Sequence, residues 1–496
     1  MRREKESILK YDCLMYERVF QILKNKIESG LLPAGSSLPS RINLQREFDT
    51  SEKTIRHALA MLEEEGLIQT HQRKRPVVSP NQDWGHLVTR LAVKKMNAGF
   101  TSDLLKTGVL LSYPLIKSGL NLCRQEDLEI PRKMLDNIDV ENADEFWRQT
   151  KRFVRFFIAR NENQLCLCAV DSLGLEELKP SVDTIEIRKE LYKQLEEFMY
   201  IIESGQSPEN TYFDDLSDLY RFSYGKEFLF DVPSDSALVL GKKQMEKLLE
   251  GAEVRYSAVY MDLLGLIAMG RYQLGDKLPT YKELQKLYNV SLDTAGKAIQ
   301  IMQEWGVVKT IRGKGIFVEM DLSEMKKIQI SPRLIAYHVR RYLDSMELLA
   351  LTIEGASVFA AAHITAEEIE AAKANTDYLW NVDFLYGRSP SILLKMITEH
   401  IDIDALHTIY TLLQRNLRIG RSIPALVDTV KTAENIHIHG QCEEALEILS
   451  GGNHEAFSMK SSQIFQYIYR IVIRVCKNLG YYEPAMKVYD GSALWK

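Results

Sequence analysis

Apolar residues near the start of the chain recur at the spacing of an amphipathic helix. The apolar positions between residues 19 and 27 lie three or four residues apart, and Gly30 stands where such a helix would end. A short helical pattern follows Pro39, and a longer one runs from Glu52 to about Glu64. We therefore predict three helices before residue 66.

The polar segments between these patterns predict how the helices are connected. Asp49-Thr50-Ser51 form a tight turn, and Ser51 can cap the helix that follows, so the last two helices make a helix-turn-helix. After Gly66, the extended segments 67–70 and 76–79 flank a polar tip, which predicts a two-stranded wing.

The same pattern occurs a second time at a constant shift of 240 positions and without a gap. Residues 16–78 align with residues 256–318. The second copy predicts helices over 281–288 and 292–305, and strands over 307–310 and 316–318 around a basic tip. Identical pairs include Ile27/Ile267, Gly30/Gly270, Gly35/Gly275, Leu38-Pro39/Leu278-Pro279, Leu44-Gln45/Leu284-Gln285, Ser51/Ser291, Thr54/Thr294, Ala58/Ala298, Gly66/Gly306, Thr70/Thr310, Lys74/Lys314 and Val78/Val318. The two copies should share one fold.

Each copy carries G-x4-G-x2-LP-[ST], then S-x2-T-x3-A, then a glycine and a basic wing. This pattern resembles the winged-helix domain of the GntR family of bacterial transcription regulators. The resemblance implies that the second helix of each helix-turn-helix reads the major groove while the wing contacts the backbone or the minor groove. Arg56 is the best candidate for reading guanine, because its fork matches O6 and N7.

The DNA-binding residues that this resemblance implies lie on the helix fronts, the turns and the wing tips. In the first copy they are Ser40, Arg41, Ser51, Lys53, Thr54, Arg56, His57, His71, Arg73, Lys74 and Arg75. In the second copy they are Thr280, Lys282, Ser291, Thr294, Lys297, Arg312, Gly313 and Lys314. Ser40, Ser51 and Thr54 suit phosphates.

Three residues depart from the family pattern. Similar sequences often have arginine after the turn serine, where this chain has Glu52 in one copy and Leu292 in the other. Gly296 stands where the first copy has Arg56. We interpret Glu52 as a sign of altered preference for DNA sequence, with weakened DNA binding as the alternative. We expect the second copy to hold DNA mainly through phosphates, or not to hold it at all.

Residues 84–250 and 325–490 show long helical patterns and lack a Gly-rich phosphate loop. Three stretches, residues 144–165, 340–372 and 443–457, resemble parts of FCD, the all-helical effector domain that follows many GntR winged helices. Metal-binding members carry Asp and His four residues apart at places held here by Thr150 and Val154, so we expect no bound zinc and no cofactor. Such regions enclose a small effector, whose binding residues stay unknown, or mediate dimerisation.

Arginines and histidines of these regions have two interpretations. The arginines could hold a carboxylate ligand, but a surface position on amphipathic helices is preferred. For His437 and His439, which point to different sides of a helix, solvent-facing or capping roles are preferred over metal ligation. The arginines concerned are Arg152, Arg155, Arg160, Arg340, Arg341, Arg415 and Arg418, and the other histidines of the second region are His363, His400, His407 and His454.

Composition limits the class of protein. The chain has 496 residues, 45% of them hydrophobic and 26% charged, and a net charge of −5, so local basic surfaces rather than overall charge must attract DNA. The polar N-terminal stretch and the charges that interrupt apolar runs argue against export and a membrane partner, and six scattered cysteines indicate free thiols. A cytoplasmic location follows.

We therefore expect a mainly α fold in which two winged helix-turn-helix domains, each with a small β-wing, alternate with two all-helical domains. The expected domains are residues 1–80, 84–250, 251–320 and 325–490. The expected function is a DNA-binding transcription regulator, as a repressor, with operator DNA and a small effector as partners and a homodimer as an option. An interaction module built on degenerate winged helices is the alternative, and an enzyme is not expected because a second winged helix interrupts the space that a large catalytic domain would need.

Overall fold

The chain divides into two compact units at about residue 245, each holding one copy of the repeat and the helical region after it. The computed structural model describes residues 16, 19–48, 50–71, 74–79, 93–95, 98–173, 179–180, 183–206, 230–233, 252–268, 270–288, 290–321, 332–382, 385–417 and 431–488. No helix among these residues is long and apolar enough to cross a membrane.

The first copy, which we call head 1, is a winged helix-turn-helix. Its elements are α1 (residues 19–28), α2 (Arg41–Glu47), α3 (Glu52–Glu64), β1 (Ile68–Gln69) and β2 (Val77–Val78). The strands pair antiparallel, with Ile68 opposite Val78. Apolar residues of all three helices and of the wing form one buried core, which includes Leu23, Ile27, Leu44, Ile55, Leu59, Leu62, Leu67 and Val78. The helical spacing of these residues therefore specifies the fold of the head.

The second copy, head 2, repeats this fold. Its elements are α9 (Ala252–Ala268), β6 (Lys277–Leu278), α10 (Tyr281–Tyr288), α11 (Leu292–Glu304), β7 (Val308–Ile311) and β8 (Gly315–Val318). The three strands form an antiparallel sheet in the order β6-β8-β7. Its core contains Leu263, Ile267, Leu284, Ala295, Ile299, Met302 and Val318. Both predicted winged helix-turn-helix folds are confirmed.

The region after head 1 contains five helices and a small sheet among the described residues. The helices are α4 (Ala98–Asn121), α5 (Glu129–Asp136), α6 (Ala143–Ala159), α7 (Gln164–Asp171) and α8 (Ile185–Glu203). The strands β3 (Val93–Lys95), β4 (Lys179–Pro180) and β5 (Phe230–Pro233) pair antiparallel in the order β3-β5-β4. The expectation of an all-helical region omitted this sheet, because strands of two to four residues are too short to show an alternating pattern.

The described part of the region after head 2 is helical. Its elements are α12 (Pro332–Ala361), α13 (Ala366–Trp380), α14 (Ser389–Glu399), α15 (Asp404–Leu417), α16 (Ala433–Ser450), α17 (His454–Asn478) and α18 (Tyr482–Val488). The long helices α12 and α17 pack along each other, and α16 packs against both α13 and α17. The mainly α fold class is confirmed.

A buried arginine joins head 1 to the helical region that follows it. Arg155 on α6 is 4% exposed and donates to both carboxylate oxygens of Asp171. Its guanidinium also donates to Asn25 Oδ1 at 3.0 Å and lies 3.4 Å from a carboxylate oxygen of Glu28, both on α1. Arg152 donates to the main-chain oxygen of Glu28 at 3.2 Å, at the C-terminal end of α1 where carbonyls lack helical partners. Head 1 is therefore held by charged contacts.

Head 2 is joined to its own helical region through a contact between a serine and a histidine. The Oγ of Ser257 on α9 lies 2.9 Å from Nε2 of His338 on α12, and both residues are buried. Ile335 of the same helix packs against the core of head 2. The opening helix of each head, α1 or α9, thus contacts the helical region that follows. This helix is separate in sequence from the helix expected to contact DNA, α3 or α11.

Candidate nucleic-acid interface

The front of α3 is organised by the serine that precedes it. Ser51 Oγ accepts from the main-chain amide of Thr54 at 3.2 Å, which caps the helix, and it lies 2.8 Å from Thr54 Oγ1. The predicted residues Lys53, Arg56 and His57 are exposed together with Ser51. Thr54 is only 2% exposed. Its predicted phosphate contact is therefore corrected, because the hydroxyl closes the turn inside the head.

An aromatic ring from the start of each head lies against the recognition helix. Tyr16 meets His57 edge-on, with ring centres 4.0 Å apart. At the equivalent place in head 2, the ammonium group of Lys297 lies 4.1 Å from the centre of the Tyr256 ring. Both side chains predicted to contact DNA are thus held by a tyrosine, and cation–π attraction orients the lysine.

The tip of the first wing presents exposed cations. His71, Lys74 and Arg75 are exposed, and the main-chain amide of Lys74 donates to the carbonyl of His71 at 3.2 Å. Arg73, also predicted to contact DNA, lies outside the described residues. The positive side chains that are described can reach a polyanion without rearrangement of the head.

The helix before each recognition helix begins with a capping residue that the sequence assigned to DNA. Ser40 accepts from the amide of the third residue of α2 at 3.2 Å, and Arg41 beside it is exposed. In head 2, Thr280 and Glu283 cap each other reciprocally, at 2.7 and 3.3 Å. Lys282 between them is exposed. In both heads the side-chain oxygen of Ser40 or Thr280 is engaged in the cap, while the neighbouring cation, Arg41 or Lys282, is exposed to solvent.

The front of α11 has the same cap but different chemistry. Ser291 Oγ accepts from the amide of Thr294 at 3.0 Å and lies 2.7 Å from its Oγ1. Leu292, which follows the turn, is 49% exposed. A Cβ added to Gly296 would meet no atom within 4 Å. The turn geometry of the first head is therefore kept, while leucine and glycine occupy the two positions at which an arginine was expected or is present in the first head.

The second wing is a longer and better paired hairpin than the first. A three-residue loop, Arg312-Gly313-Lys314, closes strands of four residues each, and all three loop residues are exposed. Gly313 has φ 78°, a left-handed conformation that favours glycine. Gly315 has φ 129°, and a Cβ there would lie 2.7 Å from the side chain of Lys277. The glycines thus specify a narrow tip flanked by two cations.

Residues that hold the heads in place carried no signal in the sequence. The ring contacts of Tyr16 and Tyr256, and the contact of Asn25 with Arg155, join residues distant along the chain, in the last case 130 positions apart. Periodicity reports only neighbours within an element, so these pairings could not be found from spacing.

Three of the arginines interpreted as surface residues are in fact buried. Arg155 is 4% exposed, Arg340 6% and Arg341 8%. Arg340 donates to Asp344 on the same helix at 2.8 Å, and Arg341 donates to Asn416 Oδ1 at 3.1 Å. The surface interpretation is wrong for these three, because each finds a hydrogen-bonding partner that offsets its burial. Arg418 lies outside the described residues.

Comparison with known proteins identifies the repeated domain. Residues 15–78 and 255–318 each match the family of bacterial regulatory proteins named gntR. Over 79 residues, the chain is 39% identical to the probable fructoselysine utilization operon transcriptional repressor of Escherichia coli (strain K12), and it matches that of Shigella flexneri equally well. The match covers 16% of this chain and 32% of each relative, so the chain spans about a third of the length of these curated relatives.

Solved GntR structures also resemble parts of the chain. Streptococcus agalactiae GntR is 14% identical, with a TM-score of 0.20, and the match covers 43% of this chain and 99% of that one. A GntR-family transcriptional regulator from Pseudomonas syringae is 17% identical, with a TM-score of 0.19, over 48% of this chain and 90% of that one. The identification rests on the two sequence matches. This chain therefore carries two copies of a winged helix-turn-helix domain that matches the gntR family of bacterial regulatory proteins.

Proposed function

We propose that the chain is a cytoplasmic transcription regulator that binds operator DNA, and that it acts as a repressor. Its two GntR-family domains and the repressor name of its sequence relatives support this function. The heads would dock as winged helices do, with the recognition helix in the major groove and the wing beside it.

The observation that carries this proposal is the exposed cationic front of head 1. Lys53 and Arg56 project from the first turns of a capped helix, and Lys74 and Arg75 project from the wing of the same head. A helix front supplies base contacts, while a separate cationic tip fixes phosphates and so sets the register on the duplex. Head 1 thus offers both elements that specific binding requires.

Head 2 would contribute contacts that depend little on sequence. Its exposed cations Lys282, Arg312 and Lys314 can neutralise phosphates, and its helix front lacks an arginine. Since both heads belong to one chain, binding of the first raises the effective concentration of the second without any new contact. An operator with one well-defined half-site and one loosely defined half-site is the expected target.

Selection of bound fragments from genomic DNA, followed by titration of the selected site at several salt concentrations, tests this proposal. We expect one enriched sequence and an affinity that falls steeply with salt, because released counterions drive phosphate contacts. If no fragment is retained at low salt, the chain does not bind DNA and the proposal is wrong.

Replacing Arg56 by alanine tests the role of the helix front. The loss of a guanine contact should cost about 1–3 kcal/mol on the selected site and relax the preference at one base pair. Arg470, exposed on α17 in the helical region after head 2, provides the control, and Arg470→Ala should bind as the unchanged chain does. Equal affinity of the two variants would remove Arg56 from the interface.

The helical regions would receive a small effector or form a homodimer. Support for a protein contact comes from exposed apolar side chains on the helices of the second unit, at Val358, Tyr378, Ile436 and Met459. Light scattering across a range of concentrations measures the mass directly. If the mass is that of one chain at all concentrations, the protein is a monomer. Binding to two DNA sites would then come from the two heads of one chain and not from two chains.

A second candidate function is a protein-interaction module built on head 2. Exposed apolar residues favour it: Leu274 is 60% exposed, Leu292 49% and Leu287 38%. These positions hold Ala34, Glu52 and Glu47 in head 1, so the two heads differ where they face solvent. An affinity for a protein partner that does not change with salt concentration would favour this candidate, because phosphate contacts to DNA impose a steep salt dependence.

A further inference from the structure

A histidine and two carboxylates from two helices meet in the region after head 2. Asp377 lies on α13, and His439 and Glu443 lie one turn apart on α16, which packs against α13. One potential ligand atom from each residue lies within 4.8 Å of the other two. His439 is 7% exposed, so the solvent-facing or capping role expected from the sequence is wrong for this residue.

The ring of His439 is held in a fixed orientation. Its Nδ1 lies 2.8 Å from the Oγ of Ser389, and the ring stacks on Trp380 with centres 4.1 Å apart and planes 6° apart. These contacts direct the other nitrogen, Nε2, to a carboxylate oxygen of Glu443 at 3.4 Å. A histidine that binds a metal usually donates its second ring nitrogen to a nearby acceptor, and Ser389 can accept that hydrogen bond.

The dimensions of the cluster suit a divalent ion. Ligand atoms around an ion at about 2.1 Å lie roughly 3.0–3.4 Å from one another, and the 3.4 Å between His439 Nε2 and the Glu443 carboxylate already meets this distance. The carboxylates of Asp377 and Glu443 are exposed, so their side chains can rotate to complete the coordination of an ion beside His439.

We propose that Asp377, His439 and Glu443 bind one divalent transition-metal ion of the zinc or manganese kind. One imidazole nitrogen and two carboxylate oxygens form a mixed set that such ions accept, and three protein ligands leave positions open for water or an anion. The expectation of no bound metal is replaced by this proposal, which concerns residues other than Thr150 and Val154. It does not depend on DNA binding by either head.

Lys431 places a positive charge near this site. Its ammonium group lies 4.5 Å from the centre of the Trp380 ring, which stacks on the ring of His439. A positive charge at this place opposes a bound cation. Lys431→Gln is therefore expected to tighten metal binding several-fold.

Calorimetric titration of the metal-free full chain with ZnCl2, and separately with MnCl2, tests the proposal. We expect one ion per chain with the wild-type cluster and a loss of affinity of about 10- to 100-fold or more in His439→Ala. His437→Ala is the matched control, because His437 is exposed two residues away on the same helix and should keep the site. Equal binding by the two variants, or no binding of either ion to the wild-type chain, would overturn the proposal.

A second set of variants separates metal binding from folding. Asp377→Asn and Glu443→Gln change exposed side chains and should leave the helical circular dichroism unchanged. Each should weaken zinc binding about tenfold or more and reduce the rise in melting temperature that zinc gives the wild-type chain. Zinc stabilisation that persists unchanged in both variants would place the ion elsewhere. A chain that binds zinc at this site but no DNA would contradict the proposed function alone.

Discussion

The two heads share one backbone design and differ in the side chains that face outward. Both recognition helices begin after a capping serine whose hydroxyl pairs with a threonine, at 2.8 Å in head 1 and 2.7 Å in head 2. The helix front carries Lys53 and Arg56 in head 1, whereas head 2 has Asp293 and Gly296 at the equivalent places. The comparison teaches that caps and core set the fold, while the exposed positions that we propose to contact DNA vary independently of the fold.

The heads also differ in how they are joined to their helical regions. Head 1 uses the charged contacts of Arg155, and head 2 uses the hydrogen bond between Ser257 and His338. A buried ion pair is more sensitive to the loss of one partner than a hydrogen bond from a serine hydroxyl, because the loss removes a compensating charge. Variants can test both differences: the contacts that join each head to its helical region, and the side chains at the fronts of α3 and α11.

The largest effect is expected from Arg155→Met. Removal of the guanidinium takes away the cation that the Asp171 and Glu28 carboxylates share, which should lower the free energy of unfolding by about 3 kcal/mol, the lower end for a buried pair because Asp171 is partly exposed. Hydrogen exchange measured by mass spectrometry should show faster exchange in peptides from α1 and α6. Ser257→Ala, which removes the hydroxyl that pairs with His338, should lower the free energy of unfolding by about 1 kcal/mol and affect exchange in α9 instead. If Arg155→Met lowers the free energy of unfolding less than Ser257→Ala does, the charged contact of head 1 is not the more sensitive of the two.

A smaller effect, opposite in sign, is expected from Gly296→Arg. The added side chain has open space, and replacement of a glycine inside α11 should stabilise the helix by up to about 1 kcal/mol. If head 2 lies on the duplex, the new arginine should also tighten DNA binding, measured by fluorescence anisotropy on the selected site. Gly296→Ala is the control, since it gives the helix stabilisation without the cation. Equal affinity of the two variants would indicate that this front does not reach DNA.

The smallest effects are expected from single wing cations. Lys74→Ala and Lys314→Ala each remove one exposed charge at equivalent positions, and each should reduce the slope of log affinity against log salt by about one. Binding should weaken to a similar degree on all sequences. If only Lys74→Ala changes the slope, then head 1 alone contacts phosphates in the complex.

Local signals in the sequence predicted the heads closely. The recognition helix of head 1 runs from Glu52 to Glu64 and α10 from Tyr281 to Tyr288, both as predicted. The predicted serine caps are present, because a cap involves residues only three apart and therefore leaves its mark in the sequence. The glycines with positive φ, such as Gly30 and Gly66, lie where the pattern ended a helix.

Contacts between elements could not be predicted in the same way. The burial of Arg155 depends on Asn25 and Asp171, and the orientation of His439 depends on Trp380 and Ser389, all brought together by folding. A charged or titratable residue in an amphipathic helix has the same spacing whether it faces solvent or a partner helix. Exposure and pairing of such residues follow from three-dimensional packing and not from the sequence pattern.

The unfilled space above Gly296 bears on how this head could evolve. Every glycine codon becomes an arginine codon through one nucleotide substitution, and the Cβ of the new side chain would meet no atom within 4 Å. A lineage carrying this protein could therefore acquire a base-reading residue on the second head in a single mutational step.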